Sequence, residues 1–247
     1  SLRGLPNESR WIVCRDSPMT DALILAAGRG ERLRPMTDTL PKPLIEVGGE
    51  PLIDHHLRTL AAAGITRVVI NLGWLGEQIA SHVGDGSQFG VRVLFSPEGY
   101  PTLDTGGAIV RALPLIGTES FWVINADVWT DYVPSALDPI VDSDCTAAIG
   151  LTPNPVYRSS GDFVINTGRA ANSGTEMMTF SGIACYRRDF FVGLPDGRFS
   201  IVPLLRAAAD AHVLGAFDIQ SRWFDIGTPD RLAGARAGVT ESQRQVD

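Results

Sequence analysis

The chain has 247 residues, of which 44% are hydrophobic and 20% are charged, so its composition is that of a globular protein with one sizeable core. Its net charge of −7 argues against nucleic-acid binding, which usually needs a basic face, and no apolar run approaches the roughly 20 residues that span a bilayer. Cys14, Cys145 and Cys185 have neither a paired spacing nor a histidine pattern nearby, which favours a reducing cytoplasm and argues against structural zinc.

Residues 1–18 mix basic, acidic and aromatic side chains and lack the apolar stretch of a secretory signal. We expect them to be an N-terminal extension outside the fold, either foreign to the natural chain or disordered, because Met19 stands just before the first strong strand pattern. Strand and helix patterns then alternate over roughly 110 residues, which predicts an α/β domain with a mostly parallel central sheet flanked by helices. The predicted strands are 21–26, 67–71, 91–95 and 121–125, and the predicted helices are 51–63, 75–83 and 107–113.

After residue 135 the chain changes character, with short strand patterns separated by Gly, Pro and Ser. Strands are predicted at 146–151, 162–166 and 178–186, and helices at 200–211 and near 229–237. We interpret 136–227 as a substrate lobe built onto the same sheet, so that 19–240 forms one domain. Ligands of such sheets bind beyond the carboxyl ends of the strands, where the turn after Ala26 and the segment 125–127 both lie.

A glycine-rich turn follows the first predicted strand. Gly28 and Gly30 give its backbone the freedom to point N–H groups into a concavity that can hold phosphate oxygens. Arg32 and Lys42 can then supply positive charge. The turn is not a dinucleotide fingerprint, since Leu33 stands where the third glycine is needed, and it is not a P-loop, since no Gly-Lys-Ser/Thr follows. A purely structural turn is the alternative.

Lys42 is the only lysine in a chain that has twenty arginines. A compact, strongly hydrated ammonium differs from a planar guanidinium, so this position is a candidate for chemistry that only a lysine can do. Pro41 and Pro43 fix the backbone on either side, and an ammonium held in this way loses little entropy when it meets phosphate. The alternatives are chance and a proline-braced surface loop with a solvated lysine.

Two aspartates are candidates for magnesium ligands. Asp127 follows the predicted strand 121–125 and lies beside the predicted phosphate turn. Mg²⁺ typically takes one or two protein carboxylates together with substrate phosphates, so a second aspartate is expected, and the segment 223–228 supplies Asp225. The structural alternatives are that Asp127 ends a strand and that Asp225 caps a helix.

One longer pattern is more specific than the turn alone. Residues 25–37 read Leu-Ala-Ala-Gly-x-Gly-x-Arg-Leu-x-Pro-x-Thr, and 41–44 continue as Pro-Lys-Pro-Leu. This pattern resembles the signature of the sugar-1-phosphate nucleotidyltransferases. The resemblance implies their nucleotide-diphospho-sugar transferase fold, a Rossmann-like mixed, mostly parallel sheet in which 19–135 binds the nucleotide and 136–227 forms a small sugar-binding lobe. A monomer or a small homo-oligomer is expected.

The resemblance also implies an activity and a set of site residues. Such an enzyme joins a nucleoside monophosphate from a triphosphate to a sugar 1-phosphate and releases pyrophosphate, with Mg²⁺ as cofactor. Asp127 and Asp225 match the two metal ligands of the family, and Arg32 and Lys42 match its catalytic cations. The implied nucleotide-binding residues are Ala26, Ala27, Gly28, Gly30, Glu31, Glu98, Gly106 and Gly107, and the implied sugar-binding residues are Asn125, Gly161 and Thr179.

Two segments favour the uridylyltransferase branch of that family, Asp-Val-Trp-Thr-Asp-Tyr at 127–132 and Thr-Phe-Ser-Gly-Ile at 179–183. We therefore expect UTP and N-acetylmuramate 1-phosphate as substrates, in the recycling of cell-wall sugar. Mannose-1-phosphate guanylyltransfer and glucose-1-phosphate uridylyl- or thymidylyltransfer are the enzyme alternatives.

Two further hypotheses are a glycosyltransferase of related fold and a non-catalytic, nucleotide-sensing regulatory subunit. Release of pyrophosphate would distinguish a nucleotidyltransferase from both. The chain departs from the family pattern at Ala126, where glycine is usual. It also has no second lysine for the sugar phosphate, so an arginine or the metal must take that part.

Overall fold

A computed structural model describes residues 21–99, 101–134 and 144–243 of the chain. The predicted N-terminal extension 1–18 and the start of the predicted sugar-binding part, 136–143, lie outside the described residues. None of the helices in the described ranges combines the length and the apolar character that crossing a bilayer requires.

The described chain alternates strands and helices through its first half and is richer in strands afterwards. The strands are β1 (Asp21–Leu25), β2 (Glu46–Val47), β3 (Glu50–Pro51), β4 (Arg67–Leu72), β5 (Arg92–Pro97), β6 (Ser120–Asn125), β7 (Val128–Thr130), β8 (Ala147–Thr152), β9 (Val164–Asn166), β10 (Arg169–Ala171), β11 (Thr179–Arg187), β12 (Leu214–Asp218) and β13 (Trp223–Asp225). The helices are α1 (Leu52–Ala62), α2 (Gly76–Val83), α3 (Asp104–Ala112), α4 (Val202–Asp210) and α5 (Pro229–Gln243).

Nine of these strands form one mixed sheet in the order β5-β4-β1-β6-β11-β8-β12-β10-β9. β5, β4, β1 and β6 pair in parallel, and only β10 and β11 run against the common direction of the sheet. The predicted α/β fold with a mixed, mostly parallel sheet is therefore confirmed. The sheet passes through both predicted parts of the chain, and the division into a nucleotide-binding and a sugar-binding part stays a prediction.

Alternating apolar side chains explain why helices cover both faces of the sheet. Leu23 and Ile24 are both fully buried but belong to different cores, because successive strand residues point to opposite faces. On the face of Ile24, Ile53 and Leu57 of α1 pack together with side chains of α2. On the face of Leu23, side chains of α3 and α4 complete the second core. The result is a three-layer domain of helix, sheet and helix.

A smaller core lies beside the sheet and holds the last described strand in place. β13 pairs antiparallel with β7, with Asp225 opposite Val128, and the Ile226 amide donates to the Asp127 carbonyl over 2.9 Å. Ile226 is fully buried in this core together with Leu232 of α5. The ladder therefore brings Asp225 next to the segment that carries Asp127, although 97 residues separate them in the chain.

Candidate active site

A cleft of about 390 Å³ opens at the carboxyl ends of the four parallel strands β1, β4, β5 and β6. This is the edge at which α/β sheets bind ligands. The structure brings ten of the predicted site residues to its lining: Ala26, Ala27, Gly28, Gly30, Glu31, Arg32, Lys42, Glu98, Asn125 and Asp127. Five other predicted residues, all within the described ranges, do not line it: Gly106, Gly107, Gly161, Thr179 and Asp225.

The glycine turn is open on one side and braced on the other. Nothing lies within 4 Å of the point where a Cβ of Gly28 would stand, so this part of the backbone faces free space. Gly30 has φ +69°, a left-handed conformation that favours glycine, and its missing Cβ would lie 3.0 Å from Thr37. The Thr37 hydroxyl donates to the Gly30 carbonyl over 2.9 Å, and the Trp74 indole donates to the Thr37 carbonyl over 2.8 Å. Bonds within the chain therefore brace the turn on the side opposite the free space.

Lys42 is held in the cleft by its neighbours. Its side chain is only 10% exposed, and its Nζ lies 2.7 Å from Oδ2 of Asp127, whose side chain is 40% exposed. Lys42 begins a short 3₁₀ helix directly after Pro41, whose extended backbone sets the direction of the turn. The proline-braced lysine therefore points into the cleft and not toward bulk solvent, which removes the surface-loop alternative.

Asp225 lies at the end of β13, just outside the cleft lining. Its Oδ2 accepts from Nη1 of Arg231 at 2.5 Å. A Cβ on Gly227, which does line the cleft, would stand 2.9 Å from Oδ1 of Asp225 and 2.9 Å from Nη2 of Arg32. Asp225 does not cap α5, because Thr228 provides the hydroxyl that accepts from the Arg231 amide at 3.4 Å. Arg32 and the Asp225 carboxylate therefore meet around Gly227 at the rim.

The chemistry of these donors fits a magnesium ion that shares its coordination with a substrate. The described ranges contain no group of three or more His, Cys, Asp or Glu side chains arranged for a metal ion, so no all-protein cage is present there. Asp127 and Asp225 instead lie on adjacent chain segments, and each has one oxygen bonded to a cation, Lys42 and Arg231 respectively. Two carboxylates with phosphates completing the shell is the arrangement that Mg²⁺ usually takes.

Asn71 is a cleft residue to which the sequence analysis gave no role. Its Oδ1 accepts from the Ala26 amide, and its Nδ2 donates to Oε1 of Glu98 at 2.5 Å. Oε2 of Glu98 accepts from the Leu103 amide over 3.0 Å. Asn71 and Glu98 thus connect the ends of β1, β4 and β5, which fixes the floor of the cleft. The signal that could have identified Asn71 from the sequence was its position at the carboxyl end of a predicted parallel strand.

Gly106 and Gly107 receive another part of the chain instead of the cleft. Both amides donate to the Phe199 carbonyl, at 2.9 and 3.1 Å, and so the start of α3 already has its N–H groups paired. A Cβ on Gly106 would overlap the Phe199 ring, and one on Gly107 would overlap the carbonyl oxygen of Gly197. This docking presents Arg198, an exposed cation absent from the sequence-based prediction, to the cleft lining. The predicted nucleotide contact of the two glycines stays a prediction.

The predicted sugar-side residues differ in their positions. Asn125 ends β6 in the cleft, and a Cβ on Gly182, whose φ is +78°, would lie 2.7 Å from its amide nitrogen. Gly161 allows the close approach of the backbone at 177–178, and the buried Thr179 hydroxyl donates to Asn154 over 2.8 Å. Gly161 and Thr179 therefore support the loop between β8 and β9, and their sugar contacts stay predictions.

A buried histidine supports the segment that carries Asp127. Burial lowers the pKa of His56 from 6.5 to about 3, with a smaller contribution from His55, while a hydrogen bond to the backbone of Val128 opposes the shift. His56 is consequently neutral at physiological pH. Its neighbour His55 stacks on Trp129 with ring centroids 4.9 Å apart and bonds the Thr130 carbonyl at 2.7 Å.

Comparison with known proteins identifies the family of the chain. The family model described as nucleotidyl transferase matches residues 21–161, and the chain belongs to this family of nucleotidyltransferases. It is 42% identical over 223 residues to the N-acetylmuramate alpha-1-phosphate uridylyltransferase of Neisseria meningitidis serogroup B, covering 87% of this chain and 96% of that protein. The enzyme of the same name from Caulobacter vibrioides is 31% identical over 236 residues, covering 90% of this chain and 97% of that protein.

A solved structure agrees with the fold assignment. A putative glucose-1-phosphate thymidylyltransferase from Bacillus anthracis has a TM-score of 0.78 to this chain at 22% identity, covering 90% of this chain and 96% of the other. The expected nucleotide-diphospho-sugar transferase fold is thereby confirmed, and the family model and the two relatives confirm the expected sugar-1-phosphate nucleotidyltransferase family.

Proposed function

We propose that the chain transfers UMP from UTP to N-acetylmuramate 1-phosphate and releases pyrophosphate. The observation that carries the proposal is the contact of the buried Lys42 ammonium with Asp127 in a cleft at the ends of four parallel strands. The two uridylyltransferase relatives, each covered over 96% or more of its length, support UTP and this sugar phosphate. The same proposal includes a role in cell-wall sugar recycling and a cytoplasmic location.

The reaction needs no proton transfer. A phosphate oxygen of the sugar phosphate attacks the α-phosphorus of the nucleotide, and the bond from that phosphorus to the bridging oxygen of the β-phosphate breaks. The attacking group is already anionic near neutral pH, because a phosphate monoester has its second pKa at about 6. The protein therefore has to bring two anions together and stabilise the charge on the leaving pyrophosphate.

The cleft supplies that stabilisation from cationic side chains that differ in how deeply they are buried. In the proposal, the open backbone at Gly28 and the guanidinium of Arg32 contact the triphosphate, with Arg32 on the leaving pyrophosphate. Lys42 contacts both substrates, and its burial keeps the ammonium oriented before they arrive. Arg198 is the proposed cation for the position that a second lysine occupies in some relatives, because it is exposed and lines the same cleft.

Asp127 and Asp225 are the residues that would hold Mg²⁺. Bound there, the ion supplies a charge that draws the two phosphates together and lowers the barrier for displacement at phosphorus. The carboxylates fit this role because each has only one oxygen bonded to a cation, Lys42 or Arg231. Asp127 lines the cleft with its side chain 40% exposed, and Oδ1 of Asp225 lies beside Gly227 at the rim.

Pyrophosphate release tests the proposal. The purified chain with Mg²⁺ would be assayed with UTP, dTTP and GTP against N-acetylmuramate, N-acetylglucosamine, glucose and mannose 1-phosphates. We expect the highest kcat/KM for UTP with N-acetylmuramate 1-phosphate, and a loss of about 100-fold or more in Asp127→Asn. Asp131→Asn is the matched control, because Asp131 is exposed and pairs with Arg222 outside the cleft.

Three results would contradict the proposal. Release of a nucleoside diphosphate would indicate a glycosyltransferase, and nucleotide binding without turnover of any pair would indicate a sensing protein. A higher kcat/KM for another pair would replace the proposed substrates while leaving the reaction class intact.

A further inference from the structure

Arg231 is held between the Asp225 carboxylate and an aromatic ring from a different part of the chain. Its Nη1 lies 2.5 Å from Oδ2 of Asp225, and its Cζ lies 3.7 Å from the centroid of the Tyr157 ring. The Arg231 side chain is 24% exposed and that of Asp225 is 25% exposed. A planar guanidinium can stack on a ring and bond a carboxylate at the same time, which an ammonium cannot do as well.

The loop that carries the ring is anchored to the rest of the domain. Tyr157 belongs to the loop between β8 and β9, and its neighbours on both sides are tied to β11 and to the chain just before it. Asn154 donates to the Met177 carbonyl over 2.8 Å, and Arg158 makes two bonds, of 2.8 and 2.9 Å, to Asp162. Oδ2 of Asp162 accepts from the Phe180 amide at 2.9 Å. The loop is therefore anchored on both sides of the Tyr157 ring that stacks on Arg231.

The Asp225 carboxylate is oriented mainly by its bond from Arg231. The last torsion of an aspartate side chain is broad and roughly two-fold, so without a partner the Asp225 carboxylate would take several orientations. The bond from Arg231 fixes Oδ2 and leaves Oδ1 beside Gly227, which lines the cleft. An oriented carboxylate loses less entropy when it binds a cation.

We propose that Arg231, stacked on Tyr157, is a positioning residue that orients the Asp225 carboxylate for metal binding. This inference rests on the metal role of Asp225 in the proposed function. It adds that Tyr157 controls the metal affinity of the site. Tyr157 belongs to the predicted sugar-binding part and acts through Arg231, not through a bond of its own to Asp127 or Asp225. The loop between β8 and β9 and the metal site are thus coupled through one guanidinium.

Mn²⁺ binding to the full-length chain without substrates tests the coupling, with free Mn²⁺ followed by electron paramagnetic resonance. Tyr157→Ala removes the ring and Arg231→Lys removes the planar group, and both variants keep every charge. We expect each to raise the Kd for Mn²⁺ by about tenfold, the size typical of a lost partner behind a metal ligand. Tyr157→Phe keeps the stacking surface and is expected to bind Mn²⁺ as the wild type does.

Two control variants separate positioning from general damage. Val156→Ala changes the fully exposed residue next to Tyr157, and Arg236→Lys changes an exposed arginine on the same helix as Arg231. Both are expected to leave the Kd for Mn²⁺ unchanged. Val156→Ala should also leave the unfolding temperature unchanged, whereas Arg236→Lys loses the bond from Nε to the Glu46 carbonyl. Pyrophosphate release by Tyr157→Ala should need a higher Mg²⁺ concentration for half-maximal rate, with the same kcat at saturating metal.

The outcomes distinguish this inference from the proposed function. If wild-type protein and Asp225→Asn bind Mn²⁺ equally, the metal role of Asp225 is wrong and the inference falls with it. If Asp225→Asn loses Mn²⁺ while Tyr157→Ala retains wild-type affinity, the inference alone is wrong. It is also wrong if Tyr157→Phe loses as much affinity as Tyr157→Ala, because the stacked ring would then not be the cause.

Discussion

The glycine pairs Gly28/Gly30 and Gly106/Gly107 each follow a parallel strand near the cleft, but different things lie against them. The backbone at Gly28 faces free space, and Gly30 adopts a left-handed turn in which a Cβ would stand 3.0 Å from Thr37. Gly106 and Gly107 are buried under residues 197–199, whose backbone accepts their N–H bonds. The absent side chain of Gly28 leaves open space at the cleft, whereas those of Gly106 and Gly107 make room for the chain itself. A glycine in a sequence indicates that something approaches closely, and only the structure identifies what approaches.

The two pairs are associated with cations of different kinds. Gly28 and Gly30 lie beside Lys42, whose ammonium is buried and already oriented by Asp127. Gly106 and Gly107 hold the segment that presents the exposed Arg198. A buried, oriented group contributes more to catalysis than a solvated and mobile one, because less must be reorganised when the substrate binds. The comparison therefore predicts that loss of the Lys42 charge lowers kcat/KM more than loss of the Arg198 charge.

The largest effect is expected for Lys42→Met. Loss of the oriented ammonium should lower kcat/KM for pyrophosphate release by about 100- to 1,000-fold, as for other pre-organised electrostatic donors. Arg198→Met, the same kind of change on the other side, should cost about tenfold, because an exposed cation is screened by water. Equal losses in the two variants would contradict the comparison. Unfolding curves of both variants serve as the control for folding.

Gly107→Ala should be the most destabilising change of a glycine in the cleft region. Its new Cβ would overlap the carbonyl oxygen of Gly197, so either α3 or the segment 197–199 must move. Overpacking of this kind costs about 3 kcal/mol in the free energy of unfolding, which urea denaturation can measure. A stable Gly107→Ala protein with normal activity would show that the segment has room to shift.

The next largest effect is expected on the pH dependence of the free energy of unfolding, through His56, which supports the segment that carries Asp127. Burial lowers the pKa of His56 to about 3, so the unfolded chain takes up a proton below pH 6.5 that the folded chain does not. Stability from this group is complete above pH 6.5 and is lost as the pH falls toward 3, by about 2 kcal/mol between pH 7 and pH 5. His56→Gln should remove this part of the pH dependence in urea unfolding. A flat wild-type profile would contradict the burial of a neutral ring.

Gly28→Ala should have the smallest effect on folding and a selective effect on binding. Nothing lies within 4 Å of the new Cβ, so the free energy of unfolding should change by no more than about 0.5 kcal/mol. The methyl group would stand where the proposal has the triphosphate, so KM for UTP should rise. An unchanged KM would indicate that the nucleotide binds elsewhere in the cleft.

The sequence predicted the parts of the structure that depend on local patterns of residues. The strands predicted at 67–71 and 121–125 agree closely with β4 and β6, because buried parallel strands are continuous apolar runs between helix patterns. Lys42 could be singled out because prolines and a lone lysine are visible without knowing the fold.

The parts that were not predicted depend on contacts between distant segments. β7 and β13 are only three residues long, too short to show a strand pattern by themselves, and they are strands because they pair with each other across the chain. β12 likewise pairs with the distant strand β8. Asn71 and Arg198 were not singled out because their roles arise from docking against residues 26, 98 and 106. Arg231 was missed for the same reason, since its partner Tyr157 lies on a loop more than seventy residues earlier.

The pairing of β7 with β13 also has a consequence for the order of events during synthesis. A nascent chain that has emerged only as far as β12 can contain the glycine turn, Lys42 and Asp127, but it lacks the strand that carries Asp225. Such a chain can fold much of its sheet and still have only one of the two carboxylates. Under the proposed mechanism, turnover therefore marks chains in which translation has passed β13, and truncated fragments are inactive however well their sheet is formed.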